Sequence, residues 1–384
     1  MQRYGLLWKR LTIVVGLALI GLLGLLIFTR LPQAAAQPAR MTAGTAGASY
    51  LYRFDPTSQS FFTIPLSNGA VPIGVAVTGT NPTHVWIAEY GLNRITHVTF
   101  TSTANYTQTA YPVTSTVNSG PYRITINGND VWFTERGANR VGRLNATTGV
   151  IDEYYGHGLP ANAGLADIAA APDGSIWMSG QSAKRLYRLV ITSTADYAFQ
   201  EYLTGTGITT TVGPFGIDVV PVVPPSSYQI AFASPEGNRI GLLTPGSQQV
   251  MIAGTIPPGF APTDIIYEAA RDFLWFSEPG ADRIGLSFKG TLQGAPTHVG
   301  PITRPVYLSR MINNTLWVTQ QDPLGQLARF IHTGTGVYNF TSYPLPIAGL
   351  QPNGVALAND GSVWLAAYRP ERLYMPAMLK NFGP

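Results

Sequence analysis

Two apolar patterns divide the chain. From Leu11 to Phe28, 18 uncharged residues run with hardly a polar interruption. At 1.5 Å rise per residue such a helix spans roughly 27 Å, close to the ~30 Å of a bilayer core. Arg3, Lys9 and Arg10 precede it, and Arg30 and Pro32 end it. The positive charges predict an N-terminus kept inside and a remainder sent across the membrane. Ala34–Ala36 supplies the small residues a signal peptidase accepts, so the segment reads as a retained anchor or a removed signal. Beyond residue 48 the pattern changes to short runs rich in Val, Ile, Thr, Tyr and Phe, divided by Asn-Asp, Asp-Gly or Thr-Gly turns. The expected organisation is a basic cytoplasmic segment 1–10, a transmembrane or signal helix 11–28, a linker 29–48, a folded domain 49–376 and a tail 377–384.

The short runs repeat. Trp86, Trp132, Trp177, Trp275, Trp317 and Trp364 mark a period of about 45 residues, with Phe232 expected to fill the one gap. One copy reads Pro121-Tyr-Arg-Ile-Thr-Ile, Asp130-Val-Trp-Phe-Thr-Glu135, Gly137-Ala-Asn-Arg-Val-Gly-Arg-Leu144 and Thr148-Gly-Val-Ile-Asp-Glu-Tyr154. Another reads Leu274-Trp-Phe-Ser-Glu278 and Gly280-Ala-Asp-Arg-Ile-Gly-Leu286. Four β-rich runs per repeat predict four-stranded antiparallel blades, and seven copies predict a seven-bladed β-propeller. Tyr50–Phe54 and Ser60–Leu66 have no inner pair before them. They are expected to complete the last blade, with Arg372–Met375 as the competing third strand. Leu373–Lys380 reads either as a ragged last strand or as the tail of an exported protein.

Charge narrows the partners. The chain carries 24 Lys and Arg against 20 Asp and Glu. Five of those cations lie in the first 40 residues, which hold no acid, so the remainder is near neutral and offers no footprint for nucleic acid. There is no cysteine, which excludes disulfides, thiolate metal sites and cysteine nucleophiles. No phosphate loop, nucleophile elbow, zinc motif or calcium loop occurs, and Asp173-Gly174 and Asp360-Gly361 read as hairpin turns.

The phrases Trp-Phe-Thr-Glu and Gly-Ala-Asn-Arg-Val-Gly-Arg resemble those of the virginiamycin B lyase (streptogramin lyase) family, over about residues 50–375. The resemblance implies a seven-bladed propeller. It also implies an activity, metal-assisted elimination that opens a cyclic depsipeptide, with Mg²⁺ held by two glutamates and a histidine of a Glu-x-His stretch as base. The sequence departs there. Two residues before His84, His97, His157, His298 and His332 stand Pro82, Ile95, Tyr155, Pro296 and Phe330. The family's metal ligands would map only onto Glu89, Glu135 and Glu278, each followed five residues later by Arg94, Arg140 or Arg283. Those glutamates are candidate metal ligands or, alternatively, partners of those arginines.

Residues before first strands or after second strands of a blade should face one side of the disc. On that reading Tyr90, Tyr122, Arg123, Arg136, Asp167, Asp218, Asp264, Arg304, Tyr307, Gln320, Asn353 and Tyr368 ring one mouth of the channel, a polar and aromatic surface suited to a ligand. His157, in the loop Tyr155-Gly-His-Gly, is expected at the same mouth, and His157 and Tyr122 are the candidate bases. The expected protein is an extracytoplasmic binding or scaffold propeller, monomeric, membrane-anchored or secreted, taking a peptide, glycan or surface protein. The alternative is a lyase of the resembled kind with a rearranged site.

Overall fold

The computed structural model describes residues 47–370, apart from 115–116, 205–211, 223–226, 255, 293 and 335–336. The apolar segment 11–28, the linker up to residue 46 and Arg372–Met375 lie outside the described residues. Among the described residues no helix is long and apolar enough to cross a membrane.

Antiparallel pairing of neighbouring runs gives seven four-stranded sheets. The chain opens with β1 (Ser49–Asp55) and β2 (Ser60–Leu66). Blade 1 then takes β3 (Pro72–Thr78), β4 (Thr83–Glu89), β5 (Arg94–Ser102) and β6 (Asn105–Pro112). Blade 2 takes β7 (Pro121–Asn127), β8 (Asp130–Glu135), β9 (Arg140–Asn145) and β10 (Ile151–Tyr154). Blade 3 takes β11 (Leu165–Ala170), β12 (Ile176–Gly180), β13 (Arg185–Ile191) and β14 (Tyr197–Leu203). Blade 4 takes β15 (Ile217–Val222), β16 (Ser227–Ser234), β17 (Arg239–Thr244) and β18 (Gln249–Ile252). Blade 5 takes β19 (Ile265–Glu268), β20 (Phe273–Glu278), β21 (Arg283–Phe288) and β22 (Thr297–Val299). Blade 6 takes β23 (Pro305–Leu308), β24 (Thr315–Gln320), β25 (Gln326–Gly334) and β26 (Val337–Pro344). Blade 7 joins β27 (Gln351–Leu357) and β28 (Val363–Tyr368) to the opening pair, in the order β2-β1-β28-β27. Ser49 pairs with Tyr368 and Phe54 with Val363, so the ring closes as the unpaired opening runs predict.

Each blade has two apolar faces because it lies between two others, and seven apolar clusters fill the spaces between blades. The period-2 alternation of the second strand decides which side chain faces which neighbour. Trp132 faces forward onto Leu165 and Ile168 of blade 3, while Phe133 faces back onto Trp86 and Ile95 of blade 1. The same division holds for Trp275 and Phe276.

The register corrects one expectation. Phe232 pairs with Gly241, as Phe133 pairs with Gly142 and Phe276 with Gly285. Phe232 therefore takes the backward-facing phenylalanine position, and Ala231 is the residue at the tryptophan phase. Those third-strand glycines are required by packing. A Cβ on Gly142 would lie 2.1 Å from the Phe133 ring, and one on Gly241 would lie 2.3 Å from Phe232.

The rest of the repeated phrase is structural as well. Asn139 sits in the left-handed region (φ 57°), where an asparagine is tolerated at a tight turn. Its side chain donates to the Pro160 carbonyl at 2.7 Å and accepts from the Gly164 N–H at 3.0 Å, tying blade 2 to the start of blade 3. Asn93, Asn238 and Asp282 accept in the same way from Gly120, Ala261 and Arg304. Asp173-Gly174 and Asp360-Gly361 are hairpin turns. Their carboxylates accept from Ser175 and Ser362, which in turn accept from the indole N–H of Trp177 and Trp364.

Candidate functional site

The first strands touch one another around most of the ring. Their N-terminal ends share an irregularity that builds the mouth. Val71, Gly120, Gly164, Ala261 and Arg304 all have φ between 42° and 67° at the entry to their blades. Gly120 also leaves room for Tyr90, because a Cβ there would lie 2.8 Å from that ring. A register shift follows in five blades, at Pro72/Gly74, Pro121/Ile124, Leu165/Ile168, Pro305/Leu308 and Pro352/Val355. Such a bulge frees backbone groups from the ladder and re-aims side chains.

Second-strand hydroxyls take up the freed groups. Thr134 Oγ1 accepts from the Arg123 N–H at 3.1 Å and donates to the Ala166 carbonyl of blade 3 at 3.0 Å. Ser179 does the same between Asp167 and Phe215. Ser277 bridges Asp264 and Val306. In each case one hydroxyl satisfies a backbone N–H at the start of a first strand and fastens the next blade.

The re-aimed side chains meet in the channel. The Arg123 guanidinium lies 3.1 Å from Asp167 and 2.6 Å from Asp264, and 4.3 Å above the Tyr307 ring. Four blades are joined through one cation. The carboxylates are held in turn by backbone donors. Asp167 accepts from the Ile217 N–H at 2.9 Å and Asp264 from the Leu308 N–H at 2.8 Å. Asp218 sits one step deeper and accepts from the Val219 and Tyr267 N–H groups. Burial raises Asp218 to about 7 and Asp264 to about 6, in the latter case against the opposing pull of Arg123. Burial works against the Arg123 charge, and the two carboxylates outweigh it, so its proton is held more tightly than usual.

Aromatic rings cover this cluster. Tyr122 stands edge-on to Tyr90 and to Phe215, and Tyr307 hydrogen-bonds to Tyr122. Burial pushes Tyr307 and Tyr368 well above the ordinary tyrosine value. The Arg136 guanidinium lies over Tyr122 at 5.2 Å and Phe215 at 5.7 Å, held by the Leu165 carbonyl and Gln181. Phe215 and Gln181 belong to the mouth as well and were not among the expected residues.

The other expected residues are placed as follows. Asn353 is buried, donating to the Pro72 carbonyl and accepting from Gln321, which joins blades 6, 7 and 1. Gln320 turns outward within its own blade and donates to Ser342 at 2.9 Å. Arg304 is the left-handed entry residue of blade 6, its N–H bound to Asp282. His157 is exposed and stacked on Tyr197 of β14 at 4.5 Å, with its carbonyl accepting from the Phe199 N–H. The Tyr155–Pro160 loop follows the outer edge of blade 3, so His157 lies at the rim and not at the mouth where it was expected.

The three glutamates are fully buried in the spaces between blades, on second strands of blades 1, 2 and 5. Glu89 is ion-paired to Arg94 at 2.5 Å, as its spacing suggested. Glu135 and Glu278 have different partners. Arg140 bonds Glu153 at 3.1 Å, and Glu135 shares a hydrogen bond with Glu153, so burial and the neighbouring acid raise it to about 9. Glu278 meets His298 Nδ1 at 2.8 Å, and burial raises it to about 8. Each carboxylate has its own partner in its own blade, so the three do not fit a shared Mg²⁺ site. Among the described residues no group of three His, Cys, Asp or Glu side chains is placed to hold a metal. Of the histidines, His84 and His97 meet in blade 1, His332 stacks on Tyr338, and burial together with His84 pushes His97 down to about 4.

Seven-bladed propellers of this fold are found among solved structures. The fold is that of the streptogramin lyases. A streptogramin B lyase superimposes with a TM-score of 0.65 at 21% identity, covering 85% of this chain and 100% of its own. Virginiamycin B lyase from Staphylococcus aureus gives 0.63 at 22%, covering 83% and 99%. A putative 6-phosphogluconolactonase from Bacteroides uniformis gives 0.57 at 14%, covering 79% and 98%. No family model and no curated protein matches the sequence.

Proposed function

We propose that the protein is a binding or scaffold propeller of the extracytoplasmic space, carried there by its N-terminal apolar segment, whose aromatic and arginine-rich mouth takes a peptide, glycan or surface protein. The observation that carries this reading is the commitment of the channel side chains to one another. Arg123, Asp167, Asp264 and Tyr307 form a closed ionic and aromatic brace. Above it, Arg136 over Tyr122 and Phe215 is a platform on which a planar or sugar-ring ligand can stack. A second reading is the elimination reaction of the proteins that share the fold. A catalytically inactive virginiamycin B lyase variant with quinupristin is among the similar structures, with a TM-score of 0.62 at 21% identity.

Peptide and glycan arrays probed with the full-length protein in detergent test the two readings. Ligands retained by the wild type and lost with Arg136→Ala are the expected result. Failure of every array, together with linearisation of quinupristin in the presence of Mg²⁺, would replace binding by the second reading.

A further inference from the structure

The histidine pair of blade 1 departs from a pattern that four other blades share. Opposite the tryptophan, on the third strand, stand Arg143, Arg188, Arg329 and Arg53 in blades 2, 3, 6 and 7. In blade 2 this arginine lies over Trp132 and pairs at 2.7 Å with Asp130, two residues before that tryptophan. Blade 1 has His97 at the arginine position and His84 at the aspartate position. A charged pair is thus replaced by two imidazoles.

Both rings are held in place. His97 lies flat on Trp86, with centroids 3.8 Å apart and planes within 2°. His84 stacks beside His97 at 5.1 Å and fits against Gly79, where a Cβ would stand 3.3 Å from its ring. His84 Nδ1 and His97 Nε2 share a hydrogen bond at 3.0 Å, both rings are partly exposed, and Thr99 Oγ1 is 3.5 Å from the latter nitrogen.

An ion that replaces the shared proton can reach both nitrogens through metal–nitrogen bonds of about 2.05 Å. Imidazole donors suit Cu²⁺ and Ni²⁺, and affinity among divalent first-row metals peaks at Cu²⁺. We propose that His84 and His97 form a two-nitrogen chelate for a tetragonal divalent transition metal, copper above nickel, on blade 1. Water and the Thr99 hydroxyl complete the coordination. The site is separate from the channel and from the glutamates considered above.

Titration of the full-length protein in detergent with Cu²⁺, followed by calorimetry and by the nitrogen coupling in its electron paramagnetic resonance spectrum, tests the chelate. One equivalent should bind, with Ni²⁺ weaker and Zn²⁺ weaker again. His84→Ala and His97→Ala should each weaken binding at least tenfold, the lower end of about 10–100-fold for changes merely adjacent to a metal site. The double variant His84→Asp/His97→Arg restores the ion pair of blade 2, so it should fold with an unchanged circular dichroism spectrum and bind no equivalent at this site. A wild type that binds no Cu²⁺, or a folded double variant that binds it as tightly as the wild type, overturns the proposal.

Discussion

Replacing Arg123 by methionine tests whether the channel brace holds the ring together. The substitution keeps most of the apolar stem and leaves Asp167 and Asp264 facing a missing cation. At an effective dielectric of about 20, contacts of 3.1 Å and 2.6 Å are worth about 5–6 kcal/mol each before desolvation is subtracted. Desolvation removes much of that, and truncating one partner of a buried pair costs about 3–5 kcal/mol in practice. A domain of about 320 residues has an unfolding entropy near 0.7 kcal/mol/K, so Arg123→Met should melt about 4–8 °C lower at pH 8. The loss should shrink at pH 5. Asp264 is already raised to about 6 with the arginine present, and without it the carboxyl is protonated and neutral in mild acid. Adding Asp264→Asn should recover about half of the loss, because the amide oxygen still accepts from the Leu308 N–H and one unpaired charge is gone. Scanning calorimetry at both pH values decides. Melting within about 1 °C of wild type at pH 8, or an equal loss at pH 5, would refute the brace.

Two other outcomes follow from the buried polar groups. Asp218, Glu278 and Glu135, raised to about 7, 8 and 9, bind protons more tightly folded than unfolded. Their stabilising contribution is present at low pH and is lost as pH rises through those values, at up to about 1.4 kcal/mol per pH unit each. The protein should therefore melt higher at pH 7 than at pH 9, with a smaller difference in Glu135→Gln, and a flat profile contradicts the shifts. Ser277→Ala removes the acceptor of the Asp264 N–H and the donor to the Val306 carbonyl, so urea denaturation should show a loss of about 1–3 kcal/mol. No loss would mean that the Asp264 N–H and the Val306 carbonyl find other partners.

The blade period, the strand count and the mixed closing blade were legible because each rests on local alternation and on the turn residues between runs. The phase of blade 4 was not. Phe232 and Ala231 are adjacent, and only pairing with Gly241 decides which of them faces forward. Arg123, Asp167, Asp264 and Tyr307, which the structure brings together, were all singled out as first-strand starts. Their wiring was not legible, because Arg123 and Asp264 lie 141 residues apart. The Glu–Arg spacing gave the partner of Glu89 correctly. It failed for Glu135 and Glu278 because Glu153 and His298, on the fourth strands, reach the same space. His157 was misplaced because a loop that starts and ends at one face can still run along the outer edge between.

The mixed last blade sets a timetable for the chain. β1 is made early, yet its neighbour β28 emerges roughly 300 residues later. At about 5–20 residues per second, that edge waits roughly 15–60 s for its partner during synthesis. Throughout that interval the β1–β2 hairpin presents an open strand edge, the feature that seeds intermolecular pairing. Folding of the whole ring therefore completes only after the final strand is released, and the period of greatest aggregation risk falls while the chain is still being synthesised.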